Sequence, residues 1–117
     1  MSQTRELLKG VSPLLLLSVL CEEPRYGYQI IRTLEERCSG NLRFKEGTIY
    51  PALRKLEAEG LVKGRWERSP QGKKRRYYRL TARGARELRQ QARGWQSFAG
   101  AVRAITRRIA HAPALSN

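Results

Sequence analysis

The chain of 117 residues carries 24 Lys and Arg against 10 Asp and Glu, a formal net charge of +14. That length suits one domain burying roughly two-thirds of its unfolded surface, and the basic excess calls for a polyanionic partner. One histidine (His111) and two cysteines offer no metal-ligand spacing and no Ser/His/Asp, Cys/His or paired-carboxylate set, so metal sites, cofactors and enzyme catalysis are set aside.

The apolar run from Val11 to Leu20 is about half a bilayer span. It is interrupted by Ser12, Pro13 and Ser18, and no small-residue cleavage site follows it. A cytoplasmic protein without a membrane partner is expected, its Cys21 and Cys38 buried as free thiols on apolar helix faces. The basic residues cluster beside glycines and tyrosines and form no stripe on a long amphipathic helix, which favours nucleic acid over a lipid surface.

Residues 1–10 read as a polar arm anchored by Leu7 and Leu8. Ser12 is then expected to cap a helix with Pro13 at its first position, where proline is preferred. Leu14, Leu15, Leu17, Val19 and Leu20 make this helix apolar nearly all round, as in a helix buried on more than one side. Contact with both the core and a second subunit is expected, Leu14 and Leu15 serving the latter. After a turn at Glu22–Arg25, a second helix starts near Tyr26 and runs to about Cys38, with Tyr26, Ile30 and Leu34 inward. Ser39-Gly40-Asn41 ends it, and Leu42-Arg43-Phe44 is expected to add a short third strand to the hairpin described next.

The stretch FKEGTIYPALRKLEAEG, Phe44 to Gly60, reads as a helix capped by Thr48, with Pro51 at the third helical position and Gly60 as its stop. Ile49, Ala52, Leu53 and Leu56 fall on one side, and Tyr50, Pro51, Arg54, Lys55 and Ala58 on the other. Hydroxyl and cations come early on the outward face and Glu57 and Glu59 late, which suits an N-terminal half presented to a polyanion. Two short β-runs then flank the turn Ser69-Pro70-Gln71-Gly72, a hairpin signal. From Lys63 to Arg79 stand eight Lys/Arg and one acid, Glu67. A helix with a basic outer face followed by a basic-tipped hairpin is the plan of a winged helix-turn-helix, whose recognition helix enters the major groove. Tyr77 and Tyr78 alternate faces, so one packs inward and the other reaches a phosphate.

Thr81 caps a last helix. Leu88, Gln91, Trp95, Phe98, Val102, Ile105, Ile109 and Ala112 alternate spacings of three and four, an a/d seam. A helix of ~30 residues spans ~45 Å and overshoots a winged-helix core. Dimerisation along this seam is the economical reading; a helix folded back along its own domain is the other.

These motifs together resemble the PadR family of bacterial transcriptional regulators. The resemblance rests on LLKG at Leu7–Gly10, PRYGYQI at Pro24–Ile30, EGTIYPALRKLEAEGLV at Glu46–Val62, GKKRRYYRLTARG at Gly72–Gly84 and the single long helix that follows. It implies a mainly α fold with a small β-hairpin: a winged helix-turn-helix over 1–80 (arm 1–10), a C-terminal dimerisation helix over 81–112 and a tail at 113–117. It also implies a homodimeric repressor of nearby genes, bound to inverted repeats of double-stranded DNA and often released by a small molecule. The expected DNA contacts are Tyr26, Thr48, Tyr50, Pro51, Arg54, Lys55, Lys73, Lys74, Arg75, Arg76 and Tyr78. The expected dimer contacts are Leu14, Leu15, Leu88, Phe98, Val102, Ile105 and Ile109.

Trp95 carries two readings. It is interface packing in mid-seam, or, with its dyad mate, one wall of a slot for a planar aromatic effector, with Ala92, Phe98 and Ala99 beside it. In drug-responsive PadR-like proteins a tryptophan at the matching place lines such a pore. A second function class also stays open, a basic RNA- or ribosome-binding module without sequence readout. An inverted-repeat reader needs a dimer, whereas such a module does not.

Overall fold

In a computed structural model describing residues 2–111, α1 (Ser2–Glu22) crosses the molecule first and supplies the floor of the core. Then come β1 (Arg25–Tyr26), α2 (Gly27–Arg37), α3 (Glu46–Ala58), β2 (Val62–Arg68), β3 (Lys74–Leu80) and α4 (Ala82–Thr106), which continues as a 3₁₀ turn over Arg107–His111. Leu16 and Leu17 of α1, Ile30 of α2, Ile49 and Leu53 of α3 and Val62 of β2 are fully buried together. The expected fold class, a mostly helical winged helix with a long C-terminal helix, is the one observed. Ala112 and the tail at 113–117 lie outside the described residues.

Neither the polar arm nor the helix start at Ser12 is observed. α1 runs unbroken through Pro13, although an interior proline loses one backbone hydrogen bond and crowds the preceding turn. Two features accommodate it. Leu8 packs on the core one turn earlier, and the buried Ser12 hydroxyl donates to the Leu8 carbonyl. Cys21 is exposed and Cys38 half-buried, both free, so the buried thiol expected at position 21 is corrected: it falls at the last turn of α1, past the residues α2 and α3 cover.

The third strand also lies elsewhere than expected. Arg25 and Tyr26 form it, pairing antiparallel with Tyr78 and Tyr77 of β3, so the sheet order is β1-β3-β2. Leu42–Phe44 instead folds back on α2. The Leu42 N–H points at the Cys38 sulfur, and the Phe44 N–H donates to the Glu35 carboxylate at 3.2 Å. Donors spent locally are not available to a sheet edge.

α3 starts two residues before the expected cap. The Lys45 carbonyl accepts from the Thr48 and Ile49 amides, each at 2.9 Å, so Thr48 sits inside the first turn and Pro51 in the second. Buried Phe44 just upstream anchors the entry. The C-terminus ends as expected at Gly60, whose φ is +78°. Its amide bonds the Glu57 carbonyl and that of Leu61 the Leu56 carbonyl, both at 3.0 Å, the paired closure that favours glycine.

Thr81 caps α4 as expected, its hydroxyl accepting from the Gly84 amide at 2.9 Å. Gly84 itself is required, because a Cβ there would lie 2.0 Å from the Leu61 carbonyl oxygen. This contact seats the base of α4 on the start of β2. Leu88 still touches the core, but beyond it the helix leaves its own domain. Phe98 is 60%, Ile105 77% and Ile109 71% exposed, so α4 is not folded back along the chain that carries it. No helix among the described residues is long and apolar enough to cross a membrane.

Candidate nucleic-acid interface

The register of the hairpin decides which wing side chains look inward. Val62 faces Leu80, Gly64 faces Tyr78, Trp66 faces Arg76 and Arg68 faces Lys74. Directly opposed residues share a face, and this one looks toward α3, grading from apolar at the base to basic at the tip. The other face holds Lys63 with Arg79, Arg65 with Tyr77 and Glu67 with Arg75. There Glu67 pairs with Arg79 at 3.0 Å, and Tyr77 meets Tyr26 edge to face with ring centroids 5.4 Å apart. The tip is tied by buried Ser69. Its amide donates to the Lys73 carbonyl at 2.7 Å and its side-chain oxygen accepts from the Lys73 amide at 3.1 Å, with Gly72 at φ +85°.

This parity corrects one expected contact and constrains another. Tyr78, expected to reach DNA, is the inward tyrosine, 6% exposed and part of the core; half-buried Tyr77 is the outward one. Arg76 turns in too. Its guanidinium donates to the Glu57 carboxylate at 2.8 Å, which removes it from the freely offered cations of the wing.

The other expected residues, Arg54 and Lys73 apart, divide between two concavities. Tyr26, Tyr50, Lys74 and Arg75, with Gly27, Trp66 and the inward Arg76 and Tyr78, line a notch of about 290 Å³ between the start of α2, α3 and the wing. Tyr50 closes against Gly27 so tightly that a Cβ there would meet its hydroxyl at 2.2 Å. Burial raises the Tyr50 pKa, so near neutrality it is a hydroxyl able to donate. The Arg75 guanidinium lies 4.3 Å from the Tyr26 ring centroid, held outward by the cation–π contact. Thr48, Pro51 and Lys55 instead lie on the flank of α3 lining a groove of about 1060 Å³ that also involves α1 and α4. Arg54 stands exposed between the two. Arg54, Lys55, Arg65, Lys73 and Lys74 make no ion pair among the described residues.

Three residues of this surface escape a reading of charge alone: Trp66, 59% exposed on β2, Gly64 and Glu57. Strand parity was the available signal, since Gly64 and Trp66 lie two apart opposite Tyr78 and Arg76.

The expected dimer and effector residues lie apart from this surface. Leu14 and Leu15 are half-buried on α1 and Leu88 on α4. Trp95 is 46% exposed, with the Phe98 ring tilted against it at 5.9 Å and half-buried Ala92 and Ala99 nearby on the helix. Among the described residues no group of His, Cys, Asp and Glu could hold a metal ion.

Known proteins share this architecture. The model of the transcriptional regulator PadR-like family matches residues 16–90. The transcriptional regulator YqjI of Escherichia coli K12 is 34% identical over 79 residues, 68% of this chain but 36% of that protein, so the chain spans about a third of that relative. A PadR-like transcriptional regulator from Bacillus cereus superposes with a TM-score of 0.76 at 30% identity, over 86% of this chain and 95% of that one. A transcriptional regulator from Clostridium thermocellum gives 0.77 at 26% identity, over 85% and 96%.

Proposed function

The chain belongs to the PadR-like family of transcriptional regulators, and from that premise we propose that it is a homodimeric repressor reading an inverted-repeat operator. α3 enters the major groove and the wing grips the adjacent backbone. Residues 1–80 serve as the DNA-binding unit and 81–112, which include α4, as the dimerisation segment. A planar aromatic effector lodged beside Trp95, Ala92, Phe98 and Ala99 releases the operator. The reading assigns no catalysis and no cofactor, and it places the protein with its DNA in the cytoplasm.

One observation carries the reading: α3 and the wing meet around a single notch walled by Tyr26, Tyr50, Trp66, Lys74 and Arg75. Unpaired cations flank it on both elements, Arg54 on α3 and Lys73 and Lys74 on the wing. Half or more of protein–DNA hydrogen bonds go to phosphate and sugar, and the wing offers donors of that kind. Dimeric readers span half-sites about 34 Å apart, and a helix of 25 residues is about 37 Å long, long enough to join two such units.

The test is selection of bound fragments from genomic DNA by the purified protein, followed by the salt dependence of binding. Arg54→Ala should cost ~1–3 kcal/mol against the selected duplex if it removes a base contact, or reduce the salt slope by about one if it removes a phosphate contact. Lys55→Ala, on the groove flank, should cost less. Replacing Lys73, Lys74 and Arg75 together should weaken selected and unrelated duplexes alike, because counterion release carries no sequence information. Equal affinity of the wild type for every duplex and for structured RNA would favour the basic module without sequence readout.

A further inference from the structure

Glu57 is an acid on the helix proposed to face a polyanion, and simple electrostatics makes it a liability there. Its surroundings assign it another part. One carboxylate oxygen accepts from the Gly64 backbone N–H at 3.0 Å and from the Arg76 guanidinium at 2.8 Å. Among the described residues these are the polar side-chain contacts that join α3 to the hairpin. Arg76 reaches Glu57 by lying across Gly64, where a Cβ would meet its Nε at 2.6 Å. The guanidinium then rests between two rings, 6.0 Å from the Trp66 centroid and 5.7 Å from that of Tyr78. Both ionic partners are about one-third exposed, so the contribution to global stability is small. The consequence is geometric. The apolar rows of the sheet end at Val62, Leu80 and Tyr78, and Arg76 stands between them and the basic tip at Lys73 and Lys74. From there a bond runs to the last turn of α3.

We propose that Glu57, Gly64 and Arg76 form a tether that sets the wing against α3, and that Glu57 thereby raises the affinity for specific DNA without touching it. Arg76 is then a positioning residue. The inference rests on the reading that α3 and the wing bind one duplex together.

The sign of one substitution separates the tether from electrostatics. Glu57→Ala removes a negative charge beside DNA and frees an arginine, which by charge alone strengthens every DNA complex. The tether requires the opposite: about tenfold weaker binding to a duplex the wild type selects, with a scrambled duplex of equal length bound as tightly as before or more so. Glu57→Gln keeps an oxygen that accepts from both donors and should retain most of the specific affinity. Gly64→Ala changes no charge and pushes Arg76 aside, so it should reproduce Glu57→Ala. Circular dichroism melts establish that each variant is folded.

A readout without DNA uses Trp66 as the single indole in a Trp95→Phe background, since the chain has two tryptophans. Loss of the guanidinium from its ring should shift Trp66 emission in Glu57→Ala and Gly64→Ala but not in Glu57→Gln. Glu57→Ala binding the selected duplex as tightly as wild type overturns the tether. So does a parallel fall for both duplexes, or Trp66 emission unchanged in both variants. If the wild type selects no sequence, the proposed function fails, and the Trp66 emission still decides the tether.

Discussion

The wing and the distal half of α4 both project from one core, and they are uncovered in opposite ways. From Lys63 to Arg79 the wing carries eight Lys/Arg and one acid, and its one largely exposed apolar side chain is Trp66. From Trp95 to Ile109, α4 and the 3₁₀ turn that continues it expose Trp95, Phe98, Val102, Ile105 and Ile109. Solvated cations cost little while no partner is present. Exposed apolar surface costs about 25 cal/mol for each Å² that a partner would have covered. In the proposed dimer the wing would bind and release, whereas the stripe on α4 would stay covered.

The same comparison constrains how α4 is covered. No acid follows Glu87 in the sequence, while Arg89, Arg93, Arg103, Arg107 and Arg108 do. In the proposed dimer two copies of this stretch would bring only like charges together, so apolar contact would have to hold them. The two projections should then answer salt with opposite sign. Screening weakens a wing on DNA and relieves the arginines of a paired α4.

The largest expected effect breaks the α4 side of this contrast. Val102→Asp or Ile105→Asp would bury an unpaired carboxylate in the seam, which is costly. Sedimentation of the wild type should show a dimer at micromolar concentration that tightens with salt, and the variants should sediment as monomers. A monomeric wild type under those conditions would refute the dimer. A dimer that loosens with added salt would show that polar contacts, not the stripe, hold it.

A smaller effect sharpens the contrast at the one place where α4 is both apolar and roomy. If the slot beside Trp95 takes a flat ring, the ligand has to favour the state that does not bind DNA, and a tenfold loss of operator affinity needs ~1.4 kcal/mol of coupling. Titration of planar aromatic compounds should quench Trp95, with Trp95→Ala as the control for Trp66. Quenching that persists in Trp95→Ala, or that never loosens the operator complex, makes Trp95 interface packing.

Where sequence reading succeeded and failed follows from the range over which each cause acts. The core face of α3, the hairpin, the Gly60 stop and the Thr81 cap were legible because periodicity, glycine conformation and capping are local. Pro13 and Thr48 misled for the same reason. Each is a sound local start signal, overridden by Leu8 and Phe44 packing on residues distant in sequence. The third strand went to Arg25–Tyr26 because Leu42–Phe44 had already spent its donors on Cys38 and Glu35. Within the interface, composition marked the wing as basic but could not say which cations were free. That needed the register, which turns Tyr78 inward, and the ion pair that ties Arg76 to Glu57, while Lys73 and Lys74 make no ion pair among the described residues.

The smallest expected effect lies in a joint whose partners are all within the chain, and it serves as the control for both projections. At the end of α1, Glu22 accepts two hydrogen bonds from Arg37 of α2, each at 2.6 Å, and one from Arg25 at 2.8 Å. The Arg37 bonds first, then the Arg37 charge and the bond and charge of Arg25, lower its pKa from 4.5 to about 2. A carboxyl held lower in the folded than in the unfolded chain binds fewer protons when folded. Its contribution to stability is therefore complete above about pH 4.5 and is lost as the pH falls toward 2. The group is exposed, so the contribution is modest. Urea denaturation of wild type and Glu22→Gln should show the wild type more stable near neutrality, with the gap closing across that acid window. A gap that stays constant down to the bottom of the window would show that the α1–α2 joint owes nothing to the charge on Glu22.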